Sequence, residues 1–156
     1  MDISVLARAV RSHMAQDAWK PRFTGDDWIL LARYLERRVL APGQVLVGAG
    51  EVDRTVHLVE GGSLQVILSQ PGVGALSGIA HLMPGSIVGE PGLFAAMPRV
   101  AQLEAVTGAV VWSLLPKRLE DLMDHQPALA LELLRSGGEV LACRLRANLE
   151  RGQALP

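Results

Sequence analysis

The sequence predicts a mainly β domain, a jelly-roll-like barrel of about eight short strands with helices at both ends. Three observations lead there. Apolar residues recur at helical spacing near both termini, short apolar runs between them are parted by Gly and Pro pairs, and 156 residues suit one domain with one core. A hydrophobic fraction of 49% supplies that core and excludes disorder as the main state.

Ile3, Leu6, Ala7, Val10 and Met14 follow Asp2, a residue able to cap, and predict an amphipathic helix over 2–15. After Pro21, Thr24 with Asp27 three residues on has the form of a capping box with Asp in place of Glu, and Trp28, Leu31 and Leu35 extend a second helix over 25–36. From Val39 the period shortens. Runs at 45–47, 56–59, 64–68, 75–81 and 87–88 lie between Pro-Gly, Gly-Ala-Gly and Gly-Gly breaks and read as strands. Runs at 102–106 and 109–115 flank Thr107-Gly108 and predict a closing hairpin. Pro116 suits the first turn of a helix to about 124, and Pro127 opens a longer one carrying Leu134, Leu141, Leu145 and Leu149. The expected parts of this single domain are N-terminal helices (1–36), a β-roll (37–115) and C-terminal helices (116–150).

Fifteen Lys and Arg against sixteen Asp and Glu give a net charge of −1, so no global positive field exists to hold a nucleic acid backbone. Cys143 is the single cysteine, which excludes an internal disulfide and fits a reducing, cytoplasmic setting; on an apolar helix it reads as a buried, inert thiol. Asp2, Arg8 and Arg11 interrupt any signal-peptide core. Residues 61–89 carry no Asp, Glu, Lys or Arg, but Pro71, Pro84 and repeated glycines break them up, so no membrane span is expected. His13, His57, His81 and His125 are scattered and predict no metal site. Trp19, Trp28, Trp112, Phe23, Tyr34 and Phe94 read as core, too dispersed for a base-stacking platform.

Chemistry concentrates elsewhere. Between Gly61 and Pro98 the one formally charged residue is Glu90, and the next along the chain is Arg99. An unpaired buried charge is costly, so each must face water, pair with the other as a plain salt bridge, or meet a ligand. Pro91-Gly92 after Glu90 predicts a short helix over 91–96, whose N-terminus would receive an anion; a guanidinium nearby adds forked donors, and a carboxylate accepts from sugar hydroxyls.

The string Gly89-Glu90-Pro91-Gly92-Leu93-Phe94, followed after three residues by Pro98-Arg99-Val100-Ala101, resembles the phosphate-binding cassette of cyclic nucleotide-binding domains, the effector domains of catabolite-activator and kinase regulatory-subunit type. The resemblance continues through Leu40-Ala41-Pro42-Gly43-Gln44-Val45-Leu46, through residues 56–66, and through Leu82-Met83-Pro84-Gly85-Ser86-Ile87-Val88-Gly89. It implies a cupin-like eight-stranded β-roll that binds cyclic AMP or cyclic GMP. Arg99, with Val100 and Gly92, would hold the cyclic phosphate. Glu90 and Gly89 would hold the ribose, and Cys143 and Arg144 on the long helix would meet the base. Pro91-Gly92 departs from the family's usual residues after the glutamate and loses one amide. Val100 and Gln102 bring no hydroxyl where one often accompanies cyclic GMP preference, which favours cyclic AMP.

The implied protein is a non-catalytic, cytoplasmic sensor that passes ligand binding through its C-terminal helices to a downstream protein. The leucine stripe of the last helix suits a homodimer. No helix-turn-helix follows that helix in residues 150–156, so direct DNA binding is not expected. The alternative is a degenerate roll that binds no nucleotide and serves as a dimerisation or scaffold module. Gly137-Gly138 inside the long helix costs about 1 kcal/mol per glycine relative to alanine and requires a structural reason.

Overall fold

The computed structural model describes residues 2–68 and 78–150. The helices are α1 (Ser4–Ser12), α2 (Gly25–Ala32), α3 (Pro116–His125) and α4 (Pro127–Glu150). The strands are β1 (Glu36–Leu40), β2 (Val45–Val47), β3 (Val56–Gly61), β4 (Leu64–Leu68), β5 (Gly78–Leu82), β6 (Ile87–Val88), β7 (Ala101–Ala105) and β8 (Ala109–Leu114).

The start of α1 is served by Asp2, whose Oδ1 accepts the Ser4 N–H at 2.9 Å, and the helix ends before His13, where the backbone turns extended. It is therefore shorter than the expected 2–15. The capping box of α2 is formed: Thr24 Oγ1 accepts from Asp27 N at 3.1 Å and Asp27 Oδ2 from Thr24 N at 2.8 Å. That helix stops at Ala32 rather than 36, closing with tight bonds from Arg33, Tyr34 and Leu35 to the carbonyls of Leu30, Leu31 and Ala32. Glu36-Arg37-Arg38 favour helix locally, yet all of β1 pairs antiparallel with β8, a long-range contact that overrides the local preference. In the expected strand over 75–81, residues 78–82 form β5, and 75–77 lie outside the described residues.

Two four-stranded antiparallel sheets, ordered β1-β8-β3-β6 and β2-β7-β4-β5, face one another as a β-roll. Alternation along each strand divides the apolar residues between two cores. Leu40, Val47, Val59, Leu64, Val88, Leu103 and Val111 fill the roll. Val56, Leu58, Ile87, Trp112 and Leu114 face outward onto Leu6, Val10, Leu31, Leu122, Leu133 and Val140 of the helices. β3 is thus buried on both faces, with His57 on the same side as Val59.

Trp19, Phe23 and Trp28 meet edge to face with centroids 5.1–6.0 Å apart. Trp19 is wholly buried and its Nε1–H donates to Ser136 Oγ on α4 at 2.8 Å, tying the α1–α2 connection to the long helix. Phe94 departs from the expected aromatic core and is 48% exposed.

Candidate functional site

β6 runs into Gly89, whose φ of 79° lies in the left-handed region. Two approaches also exclude a side chain here: a Cβ would lie 2.4 Å from Arg99 Nη1 and 2.9 Å from the Thr55 carbonyl oxygen. The chain then makes one 3-10 turn, Glu90–Leu93, with Pro91 in its first positions. The expected helix over 91–96 is reduced to this turn, so its dipole is correspondingly small. The Gly92 N–H is used within it, donating to the Gly89 carbonyl at 2.9 Å. Gly92 has no room for a Cβ against the Arg54 backbone, and its carbonyl accepts from Arg54 Nε at 3.0 Å.

Arg99 is pinned by its backbone: its N–H donates to the Glu51 carbonyl at 2.8 Å, and its carbonyl accepts from Gly50 N at 2.8 Å. Its Nη2 donates to the Thr55 carbonyl at 2.6 Å. That carbonyl is fixed in turn by Asp53, whose Oδ1 accepts from Thr55 N at 2.9 Å and Thr55 Oγ1 at 2.7 Å. Among the described residues no carboxylate pairs with Arg99 within 4.0 Å. Burial draws its pKa below the ordinary guanidinium value, against the fields of Asp53, Glu90 and Glu51.

Glu90 is 4% exposed and has another partner. Arg144 of α4 donates from Nη1 to Glu90 Oε2 at 2.7 Å, from Nε to Asp17 Oδ2 at 2.9 Å, and from Nη2 to the Ile87 carbonyl at 3.1 Å. Of the three options open from the sequence, the mutual Glu90–Arg99 salt bridge is not formed: the forked guanidinium of Arg144 reaches the buried carboxylate instead. Burial alone would draw Arg144 down, but Glu90 and Asp17 outweigh it and hold its pKa above the ordinary value.

The residues named for phosphate, ribose and base border one cavity of about 1230 Å³, Gly89, Glu90, Gly92, Arg99 and Val100 on the roll and Cys143 and Arg144 on α4, while Gln102 is not in its lining. Val100 is 62% exposed. Cys143 is exposed toward solvent, which corrects the expectation of a buried thiol; no residue of α4 beyond Val140 is buried in the core. Leu134 packs against the helical core, Leu141 and Leu145 border the cavity, and Leu149 is exposed. Gly137 has its reason here. A Cβ on Gly137 would lie 2.5 Å from Leu93 Cδ1, so Gly137 lets the 3-10 turn lie directly on α4, whereas one on Gly138 would meet Phe94 Cζ at an ordinary 3.5 Å, and no contact there requires glycine.

Sequence reasoning missed Asp17, Asp53 and Thr55, which hold Arg144 and Arg99 in place. Asp53-Arg54-Thr55 is an ordinary loop string, and its role arises only where β3 meets the cassette. Among the described residues no three His, Cys, Asp or Glu side chains converge as a metal site, and no helix is long and apolar enough to cross a membrane.

An uncharacterised NTE family protein of Mycobacterium bovis is 27% identical over 111 residues, 71% of this chain, and a Mycobacterium tuberculosis protein of the same description matches equally. The chain spans 18% of the length of these relatives. The structure of a cyclic nucleotide-binding domain from Methylobacillus flagellatus superposes with a TM-score of 0.78 at 22% identity, covering 96% of this chain and 81% of that one. The catabolite activator protein of Thermus thermophilus gives 0.71 at 26% identity over 84% of this chain and 60% of its own. The family model for the cyclic nucleotide-binding domain matches residues 37–126, from β1 through α3, and with the β-roll and cassette described above it makes this chain a member of the cyclic nucleotide-binding domain family.

Proposed function

We propose that the domain is a non-catalytic sensor that binds a cyclic nucleotide, cyclic AMP in preference to cyclic GMP. The observation that carries this reading is Arg99: a guanidinium bordering the cavity, oriented by Thr55 and Gly89, with no carboxylate partner among the described residues. A cyclic phosphodiester supplies the missing anion, and the guanidinium offers it forked donors. Glu90 lies ten residues or fewer away along the same cassette, with Oε2 already taken by Arg144, and receives the ribose hydroxyl on its remaining acceptor capacity. Gly89, Gly92 and Val100 shape the cage, and the base lies toward Cys143 and Arg144, which border the same cavity. Val100, which borders the cavity, provides no hydroxyl to guanine, in support of adenine, whereas Gln102 lies outside the lining and donates to Glu104.

Because Arg144 grips Glu90 and Gly137 touches Leu93, any shift of the cassette on binding is felt by α4. The exposed end of that helix, Leu145 and Leu149, suits a second copy of the chain or a downstream protein in the cytoplasm. Calorimetric titration of cyclic AMP and cyclic GMP into the chain tests the reading. Saturable binding of cyclic AMP, weakened at least about tenfold in Arg99→Ala, is expected, since a hydrogen bond to a charged group contributes about 1.5–3 kcal/mol. Absence of heat with either nucleotide would favour a roll serving only as a scaffold.

A further inference from the structure

His57 is 1% exposed, on the roll-facing side of β3. Its Nδ1 lies 2.7 Å from Ser113 Oγ on β8, while its Nε2 is buried with no hydrogen-bond partner. Among the described residues one other buried side-chain nitrogen or oxygen is left in that state, the Nε of Arg99. A buried polar group without a partner is costly, and most such groups are satisfied by protein or enclosed water. The two unmet groups are complementary, one an N–H donor and the other a ring nitrogen able to accept.

Their surroundings converge. Arg99 donates to the Thr55 carbonyl, two residues before His57, and lies against Gly89, which follows Val88, the register partner of His57. Burial first, and then the charge of Arg99, lower the pKa of His57 to about 4, so at neutral pH the ring is uncharged and can accept.

We propose that His57 is a positioning residue for Arg99: its bare Nε2 takes the Arg99 Nε–H across one enclosed water, while Nδ1–H donates to Ser113 Oγ. Thr55 then holds the outer Nη2 and His57 the inner Nε, which fixes the guanidinium plane and leaves its Nη1 edge for an anion. The role rests on the phosphate-binding function of Arg99 only for its effect on affinity; the link itself needs no ligand.

The test uses the whole chain labelled with nitrogen-15. In nucleotide-free protein at neutral pH, imidazole NMR is expected to find Nδ1 protonated and Nε2 bare, and Arg99 Nε–H to exchange slowly with solvent. The opposite tautomer, or an Arg99 Nε–H that exchanges like those of surface arginines, overturns the assignment, and neither observation requires a variant to fold. His57→Gln, which keeps an acceptor, is expected to retain cyclic AMP affinity within about threefold and His57→Leu to lose about tenfold. Added to Arg99→Ala, His57→Leu is expected to cause no further loss. Full affinity in folded His57→Leu, or additive losses, also overturns it. If the chain binds no cyclic nucleotide, the proposed function fails while the NMR results still decide the role of His57.

Discussion

Replacing Gly89 by alanine probes the site at its narrowest point. Two costs follow from the geometry. An L residue held at φ 79° pays about 1–2 kcal/mol in backbone strain. The new Cβ would also stand 2.4 Å from Arg99 Nη1 and 2.9 Å from the Thr55 carbonyl oxygen. The carbonyl is backbone and yields little, whereas the guanidinium is the end of a flexible side chain, so Arg99 is the group that moves. Its 2.6 Å bond to Thr55 is then lost, adding about 1 kcal/mol. The sum, about 2–3 kcal/mol, lowers the melting temperature by about 4–12 °C in a chain of this size. Cyclic AMP affinity falls about tenfold as the guanidinium leaves its place. Gly62→Ala is the control: φ is 77° and its Cβ would meet the Gly108 carbonyl oxygen at 2.3 Å, outside the cavity lining. It is expected to destabilise at least as much without weakening the ligand. Urea denaturation and calorimetry, with both variants fully folded during titration, separate the two effects. Wild-type affinity in Gly89→Ala, or equal loss of affinity in Gly62→Ala, would refute the reasoning.

Arg144→Ala leaves Glu90 as a buried carboxylate without its cation and is expected to cost about 2–4 kcal/mol in urea denaturation, with Glu90→Gln added to it restoring most of the loss. A single variant no less stable than wild type would show that Glu90 finds other partners. His57 has a folded pKa of about 4 against an ordinary 6.5, lowered by burial and by Arg99 and Arg38 against the field of Asp53. The unfolded chain therefore takes up the proton first: stability is full above about pH 6.5 and declines as pH falls toward 4, by up to about 3 kcal/mol. The difference in unfolding free energy between wild type and His57→Gln, followed across that range, checks the sign. Thr24→Ala removes the side-chain half of the α2 capping box and is expected to cost about 1 kcal/mol in thermal unfolding.

The sequence made the order of elements and the border of the cavity readable because both depend on local signals. Gly-rich breaks delimit strands 45–47, 56–61 and 87–88, Pro116 and Pro127 open helices, and Gly89 to Val100 carries a fixed spacing. What escaped depends on contacts between distant segments. β1 is a strand because β8 lies beside it, although Glu36-Arg37-Arg38 has no strand character of its own. The partner of Glu90 lies 54 residues on, in Arg144, and nothing local distinguishes that arginine from its neighbour Arg146, which pairs with Glu150 one turn away on the same helix. Thr55 acts through its carbonyl, a group every residue has, so no choice of side chain could reveal it.

The coupling of cassette to helix can be argued from these same contacts. α4 meets the 3-10 turn twice: at Gly137, where Leu93 lies against the helix backbone, and two turns later at Arg144, which holds Glu90. Two attachments on one rigid element constrain the turn more than either alone, because rotation about one contact strains the other. The first is apolar and close-packed; the second is ionic and shared with Asp17 of the α1–α2 connection. On the proposed reading, a ribose hydroxyl donating to the remaining acceptor sites of Glu90 would draw charge from the ionic contact alone, leaving the packing at Leu93 in place and the Asp17 bond to hold the guanidinium. On the same reading the end of α4 beyond Gly137-Gly138 would be the part that shifts, since two adjacent glycines lower the helix propensity there, Gly137 alone being demanded by the close crossing.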